Sequence, residues 1–191
     1  MLRLGLFGGS FDPMHLGHLL VAQAALEELE LSRLFFIPAA QSPFKPQSAT
    51  APGPLRLAML RLALAGEPSC EVDDQEVRRG GVSYTIDTVR DYATRFPQAE
   101  LFYLIGADHV AKLPQWREAA ELAERLRFVV IPRPGEMLAP APEPFRVSRL
   151  RGHPLALSSS EIRARVRSGA SIRNLVPAAA AQFLRNNRLY L

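Results

Sequence analysis

The sequence predicts an α/β fold in which helices cover both faces of a doubly wound parallel sheet, with a small helical extension at the C-terminal end. Short apolar runs of strand length alternate with segments whose apolar residues recur at helical spacing. The pair Gly8 and Gly9 lies between the first strand-like run and the first helix-like segment. One cysteine, Cys70, and no Cys and His cluster at zinc-ligand spacing exclude a disulfide scaffold and a zinc fold. The length of 191 residues predicts one domain, 1–191, whose extension covers 158–191.

The first half of the chain alternates strand and helix. A short run of Leu, Arg, Gly and Phe over 2–7 predicts the first strand, and helical spacing of apolar residues over 16–31 predicts the first helix. The run 33–37 repeats the pattern of a buried strand and ends at Pro38. The same patterns continue as a helix over 55–64, a strand over 69–73 and a helix over 85–96.

The second half repeats this cycle. Residues 100–105 predict a strand that ends in a turn at 106–108, and a helix over 117–125 precedes a strand over 127–131. The extension contributes helices over 160–168 and 178–187, which we expect to pack on the sheet and close a pocket. Two segments rich in proline and alanine interrupt the alternation: a long loop at 41–54, of the kind that carries function, and a connector at 136–144.

The charged residues indicate an anionic partner. The net charge is +4, and 21 of the 23 basic residues are arginine, whose guanidinium suits bidentate recognition of phosphate or carboxylate. Arginines concentrate at 146–151 and 163–167. The apolar runs fall far short of the about 20 residues that a membrane span needs, and the N-terminus lacks the pattern of a signal peptide. We therefore expect a cytoplasmic protein with no membrane segment.

The loop after the first strand, GGSFDPMHLGH at 8–18, is the first candidate binding site. Open parallel sheets bind ligands beyond the carboxyl ends of their strands, where the strand order reverses. The glycines permit close approach, and a helix that begins near Leu16 directs free N–H groups into the same space, which favours an anion. His15 and His18 fall on the same side of the first helical turn, and Gly17 leaves room between them. Phosphate binding is therefore favoured over a metal pair, which would need a third ligand nearby.

A second cluster, LSSSEIR at 157–163, precedes a helical segment. One serine of this run is expected to cap the helix. The other hydroxyls, the helix N-terminus and Arg163 about one turn further on form a second cradle for anions, suited to the far end of a triphosphate. Lys45 adds a point charge in the long loop, and Arg133 is a further candidate.

Eight segments together resemble a known family. They are GGSFDPMHLGH at 8–18, PAAQSPFK at 38–45, LRLAML at 55–60, SYTIDT at 83–88, LIGADH at 104–109, PQW at 114–116, RPG at 133–135 and LSSSEIR at 157–163. The chain resembles the nucleotidyltransferases with an HxGH signature, and within them the bacterial nicotinate-nucleotide adenylyltransferases. The resemblance implies a Rossmann-like domain that joins the adenylyl group of ATP to nicotinate mononucleotide, giving deamido-NAD and pyrophosphate, with magnesium accompanying ATP.

The resemblance also implies roles for the matching residues. His15, His18 and Arg163 would be catalytic, because they would orient and grip the phosphates. The ATP-binding residues would be Gly8, Gly9, Ser10, Phe11, Gly106, Asp108, Arg133, Ser158 and Ser159. The residues that bind nicotinate mononucleotide would be Lys45 near its phosphate, Tyr84 as a pocket wall, the backbone N–H of Thr85 on the carboxylate, and Trp116 stacked on the pyridine ring. No protein residue would be a metal ligand.

The chemistry of the residues agrees with this family, and some alternatives stay open. A phosphate oxygen is ionised at neutral pH, so the reaction needs two anions placed in line rather than a general base. A sister enzyme would use nicotinamide mononucleotide or phosphopantetheine as acceptor, although the latter kind should lack SYTIDT and the tryptophan. A module that binds nucleotides or RNA without chemistry is supported only by the arginine-rich tail, and His15, His18, Ser159 and Arg163 argue against it. We expect small-molecule nucleotides and no nucleic acid as partners, and the sequence leaves the oligomeric state open.

Overall fold

A computed structural model describes residues 1–43, 51–136 and 140–191. The strands are β1 (Arg3–Gly9), β2 (Arg33–Pro38), β3 (Cys70–Val72), β4 (Glu100–Gly106), β5 (Leu126–Ile131) and β6 (Arg146–Arg149). Within the described residues these six strands form one sheet in the order β3-β2-β1-β4-β5-β6, and every neighbouring pair is parallel. The order reverses between β1 and β4, as in doubly wound folds.

Helices follow the strands and cover both faces of the sheet. They are α1 (Leu16–Glu28), α2 (Gly53–Ala63), α3 (Gln75–Arg79), α4 (Thr85–Arg95), α5 (Ala119–Arg125), α6 (Ser159–Arg167) and α7 (Ala178–Asn186), with a 3-10 helix at Ala107–Gln115. None of the helices in the described part of the chain has the length and apolar character needed to cross a bilayer. The predicted α/β class is confirmed.

Two apolar clusters lie on opposite faces of the sheet, because successive side chains of a strand point to opposite sides. In β2, Leu34 and Phe36 pack in the cluster that α1, α2, α6 and α7 share, whereas Phe35 and Ile37 pack in the cluster of α4 and α5. Both faces of the central strands are therefore buried, which explains their continuous apolar runs.

The C-terminal helices pack on the first of these faces. Ile162 of α6 and Ala180 and Leu184 of α7 are buried in the same cluster as Ala22 and Ala25 of α1. α7 also packs against α2. The tail after residue 158 consequently lies beside the helix that follows the GGSFDPMHLGH loop.

The main differences from the sequence-based predictions concern four elements. α3 was not predicted, since five residues are too few for a helical period to show. β6 was not predicted because it is an edge strand whose residues Arg146, Ser148 and Arg149 are exposed. The predicted turn at 106–108 continues as the 3-10 helix, and α1 ends three residues early because Glu30 adopts a left-handed φ of 49°.

Candidate active site

A crevice opens where the strand order reverses. β1 and β4 pair only from Arg3 and Glu100 to Leu6 and Tyr103, although each strand continues for three more residues beside its other neighbour. The separated ends lead into the loop after Gly9 and the 3-10 helix after Gly106. The candidate phosphate-binding loop at 8–18 and the predicted turn at 106–108 therefore face the same crevice.

Close contacts within the protein explain the glycine pair. A Cβ atom at Gly8 would overlap the hydroxyl of Tyr103 on β4, and one at Gly9 would lie 3.2 Å from the ring of Phe11. Phe11 has a left-handed φ of 46° and is buried, with its ring 5.1 Å from that of His18. The two glycines thus leave room for Tyr103 and Phe11, a role that the sequence pattern does not reveal.

The two histidines of the loop are stacked at the start of α1. Their ring centroids lie 3.8 Å apart with an interplanar angle of 29°. The backbone N–H of His15 donates to Nδ1 of His18 over 3.1 Å, so the neutral His18 ring carries its proton on Nε2. Nδ1 of His15 is buried without a hydrogen-bond partner among the described residues. A Cβ atom at Gly17 would lie 3.0 Å from the His15 ring, which confirms that glycine makes room there.

Both imidazoles are neutral in the free protein. Burial, with the positive charge of Arg133 as a smaller contribution, lowers the pKa of His15 to about 4. Burial lowers the pKa of His18 well below its usual value, and the neighbouring His15 and Arg133 act in the same direction. The charge of Arg133 thus acts on both rings.

Arg133 also lies close to the end of β4. Its Nη2 atom would be 3.9 Å from a Cβ atom at Gly106, and the same Cβ would be 2.5 Å from Oδ1 of Asp108. Arg133 and Asp108 are both exposed, and Nη1 of Arg133 is 3.5 Å from a carboxylate oxygen of Glu136. A side chain at position 106 would displace the Asp108 carboxylate, which turns back over the glycine. The structure thus brings together three of the predicted ATP-binding residues.

The serine-rich segment at 157–160 contacts the loop after β1 directly. Ser158 caps α6 by accepting the N–H of Glu161 over 3.2 Å, which confirms the expected cap. The Ser159 hydroxyl donates to the carbonyl of Pro13 over 2.8 Å. Arg163 donates from Nη1 to the carbonyl of Asp12 over 2.6 Å. The tail and the loop after β1 therefore form one continuous site.

Two buried residues that were not predicted from the sequence form hydrogen bonds that hold this loop. Asp12 is 1% exposed and accepts the N–H of Ala51 over 3.0 Å. Arg56 is 2% exposed and donates to the carbonyls of Ala51 and Ser10, each over 2.9 Å. An arginine on the apolar side of a predicted helix was the available signal for Arg56, because a buried guanidinium requires acceptors.

The predicted acceptor residues line a separate small cavity. Tyr84, Thr85 and Trp116 border a space of about 80 Å³ between the start of α4 and the end of the 3-10 helix. The Arg117 guanidinium lies 4.7 Å from the centroid of the Tyr84 ring. Lys45, predicted near the acceptor phosphate, lies outside the described residues.

The indole of Trp116 is held by aromatic edges. The rings of Tyr103, His109 and Phe128 lie 5.8 to 6.1 Å from it at interplanar angles of 81° to 87°. Such edge-to-face contacts fix the plane of the indole, while its place in the cavity wall keeps it accessible to a flat ligand.

Comparisons with known proteins agree on one family. Residues 6–165 match the cytidylyltransferase-like family. The chain is 43% identical over 191 residues to a probable nicotinate-nucleotide adenylyltransferase of Opitutus terrae, with 99% of this chain and 98% of the relative covered. A protein of the same printed name from Thermus thermophilus is 43% identical over 189 residues, with 99% and 100% covered.

Solved structures share the fold at lower identity. A Plasmodium falciparum nicotinic acid mononucleotide adenylyltransferase complexed with NaAD superposes with a TM-score of 0.80 at 16% identity, covering 100% of this chain and 98% of the other. A putative nicotinate-nucleotide adenylyltransferase from Vibrio parahaemolyticus gives 0.68 at 19% identity, with 100% and 96% covered. At these identities the likeness shows the fold.

Proposed function

The chain belongs to the nicotinate-nucleotide adenylyltransferases of the cytidylyltransferase-like family, and we propose that the crevice between β1 and β4 is its active site. The protein transfers the adenylyl group of ATP to nicotinate mononucleotide, giving deamido-NAD and pyrophosphate, a step of NAD biosynthesis. One observation carries the assignment of the site: the stacked pair of His15 and His18 begins α1 at the crevice, in a loop that Arg163 of the tail contacts directly.

The reaction needs placement of anions more than proton transfer. A phosphate oxygen of the mononucleotide attacks the α-phosphorus of ATP, the bond from that phosphorus to the oxygen that bridges to the β-phosphate breaks, and pyrophosphate leaves with the electron pair. The attacking oxygen is already ionised, so the protein needs no general base. The task of the site is to bring two negatively charged nucleotides into line and to stabilise the charge that develops on the pyrophosphate.

The two imidazoles suit this task as neutral donors. Nε2–H of His18 is free of the backbone bond that engages Nδ1, and Nδ1 of His15 is a buried polar atom in need of a partner. Both can donate hydrogen bonds to phosphate oxygens without first taking up a proton. Bound phosphate raises the pKa of each ring, since an opposite charge favours the protonated form, and this strengthens the interaction as charge develops.

Fixed positive ends surround the histidines. The positive ends of the α1 and α6 helix dipoles lie at the loop, and Arg163 and Arg133 add full charges from the tail and from the loop after β5. With His15 and His18, Arg163 completes the proposed catalytic set. The proposed ATP contacts are Gly8, Gly9, Ser10, Phe11, Gly106, Asp108, Arg133, Ser158 and Ser159.

The cavity at the start of α4 suits the nicotinate ring. Its wall combines the Trp116 indole for stacking with the backbone N–H of Thr85, the first residue of α4, for the carboxylate. Tyr84 contributes a wall, and we propose that Lys45 meets the phosphate of the mononucleotide. The proposed partners of the protein are thus two small nucleotides.

Magnesium fits this site as an ion carried by the nucleotide. The described residues contain no group of three or more His, Cys, Asp or Glu side chains that could hold a metal. Mg²⁺ commonly binds through substrate phosphates and water with few protein ligands, so the phosphates of ATP would supply its coordination. When bound it would offset charge on the departing pyrophosphate.

We also propose that residues 1–191 form one domain, with 158–191 as a helical extension, and that the protein works in the cytoplasm, where both nucleotides are available. The shared apolar cluster of α1, α2, α6 and α7 supports the single domain.

A pyrophosphate-release assay tests the function. Purified protein with ATP and magnesium is supplied with nicotinate mononucleotide, nicotinamide mononucleotide or phosphopantetheine in parallel. We expect the highest kcat/KM with nicotinate mononucleotide. Faster turnover of phosphopantetheine, or none with either pyridine nucleotide, would overturn the assignment.

A further inference from the structure

The penultimate residue of the chain contacts the phosphate loop through a buried carboxylate. The hydroxyl of Tyr190 donates to Oδ1 of Asp12 over 2.6 Å, and the same oxygen accepts the N–H of Ala51. Asp12 is 1% exposed, and it lies between Phe11 and the HxGH histidines in the chain. A hydroxyl from the far end of the sequence therefore holds the centre of the proposed ATP loop.

This bond is one of several that join the tail to the loop. The Ser159 hydroxyl donates to the Pro13 carbonyl, and Arg163 donates to the Asp12 carbonyl. The N–H of Leu16, at the start of α1, donates to the carbonyl of Leu175 over 3.0 Å. Among these contacts only the tyrosine reaches the carboxylate side chain of the loop with a hydrogen bond.

The backbone adopts an uncommon conformation at Tyr190 and at the residue before Asp12. Tyr190 has a φ of 67° and Phe11, next to Asp12, has a φ of 46°. Left-handed φ angles disfavour side chains with a Cβ atom, and such strain persists only where the surroundings impose it. The backbone of Tyr190 is therefore held in an unfavourable conformation while its hydroxyl bonds to the loop.

The Asp12 carboxylate lies close to the Arg163 guanidinium as well as to the Tyr190 hydroxyl. Nη1 of Arg163 is 3.7 Å from Oδ2, which is buried and has no hydrogen-bond partner in the described structure. Burial and the bond to Asp12 raise the pKa of Tyr190, so its hydroxyl keeps its proton. Without that hydroxyl, Oδ1 would lose one of its two donors and attract the Arg163 guanidinium away from the crevice.

We propose that Tyr190 is a positioning residue for ATP: by satisfying Asp12 it keeps Arg163 on the loop carbonyl, so that the N–H groups of Arg163 that bond neither Asp12 nor Ser160 can bind phosphate. This inference rests on the proposed site. It assigns a functional role to the end of the chain, which carries none of the motifs that mark the family.

The chain supplies a matched control. Tyr92 donates to Oδ2 of Asp73 over 2.7 Å, and Arg95 also contacts that carboxylate. This group of tyrosine, aspartate and arginine resembles that of Tyr190, Asp12 and Arg163 but lies outside the proposed site. Tyr190→Phe and Tyr92→Phe each remove one hydroxyl from a tyrosine to aspartate bond. The Kd for ATP with magnesium, measured by calorimetry without acceptor, is compared for wild type, both variants and Asp12→Asn with and without Tyr190→Phe.

We expect Tyr190→Phe to raise the Kd for ATP about tenfold, as for loss of a hydrogen bond to a charged group, while Tyr92→Phe keeps it within about twofold. In the Asp12→Asn background, Tyr190→Phe should change the Kd by less than about twofold, because the partner through which it acts is altered. An unchanged Kd in Tyr190→Phe, or equal effects of the two tyrosine variants, would overturn the proposal. Failure of the wild type to bind ATP would instead refute the proposed function itself and this inference with it.

Discussion

Tyr103 joins the two halves of the site, because its hydroxyl accepts a hydrogen bond of 3.3 Å from Oγ1 of Thr85 and also occupies the space that a Cβ atom at Gly8 would need. Gly8 belongs to the proposed ATP loop and Thr85 to the cavity proposed for the acceptor. One phenol on β4 therefore connects the spacing of the loop to the position of the acceptor site.

Gly8→Ala should consequently damage acceptor binding through Tyr103. The added methyl group would displace the buried hydroxyl and shift Thr85, lowering the free energy of unfolding by about 1–3 kcal/mol, as for overpacking, and raising the KM for nicotinate mononucleotide. Adding Tyr103→Phe removes the overlapping hydroxyl. The double variant should recover at least half of the lost free energy of unfolding and at least half of the rise in KM. Thermal unfolding and steady-state kinetics measure the two effects. Additive effects of the two substitutions would refute this coupling.

His18→Ala should abolish most turnover. We expect kcat to fall by about 10²–10³-fold, as when an enzyme loses one hydrogen-bond donor to the charge that develops in the transition state. Loss of the hydrogen bond from the His15 N–H should lower the free energy of unfolding by only about 1 kcal/mol, as for a helix cap. His153→Ala, at an exposed histidine outside the site, is the control and should retain wild-type kcat. Comparable kcat values for the two variants would contradict the role of His18.

The stability of the free protein should fall as the pH is lowered from about 6.5 to about 4. The folded pKa values of His15 and His18 lie below that of an unfolded histidine, so the unfolded chain binds more protons in this window. Each neutral histidine contributes a slope of up to about 1.4 kcal/mol per pH unit. Denaturant unfolding of wild type and His15→Gln across pH 5–7.5 checks this, and the variant should show the shallower dependence. Parallel pH profiles would show that His15 is not neutral in the fold.

Trp116 should report acceptor binding by fluorescence, since it is the only tryptophan and lines the cavity proposed for the acceptor. Nicotinate mononucleotide should quench its emission through ring stacking. Trp116→Ala should raise the KM for the mononucleotide about tenfold, consistent with stacking energies of about 0.5–1.5 kcal/mol beyond area burial, and leave the KM for ATP near the wild-type value. Emission that stays constant at saturating acceptor would exclude stacking.

Much of the fold followed from residue patterns, and the errors have local causes. The central strands were predicted within three residues because burial on both faces makes them continuous apolar runs. The edge strand β6 escaped prediction because Arg146 and Arg149 face solvent and leave no apolar signal. α3 is shorter than the window over which a helical period becomes visible.

The candidate site was likewise predicted only in part. The spacing of His15, Gly17 and His18 predicted the side-by-side imidazoles, since residues three apart on a helix share a face. The roles of Asp12, Arg56 and Tyr190 were not predicted, because each depends on a partner 39 to 178 residues away in the chain.

The sequence by itself determined the alternation of strands and helices, the positions of the candidate phosphate-binding motifs and the family. All of these depend on residues close together in the chain. Only the tertiary structure decided which groups support those motifs. A buried carboxylate or guanidinium must be satisfied by whichever donors and acceptors the fold brings to it, and for this loop they come from α2 and from the last turn of the chain.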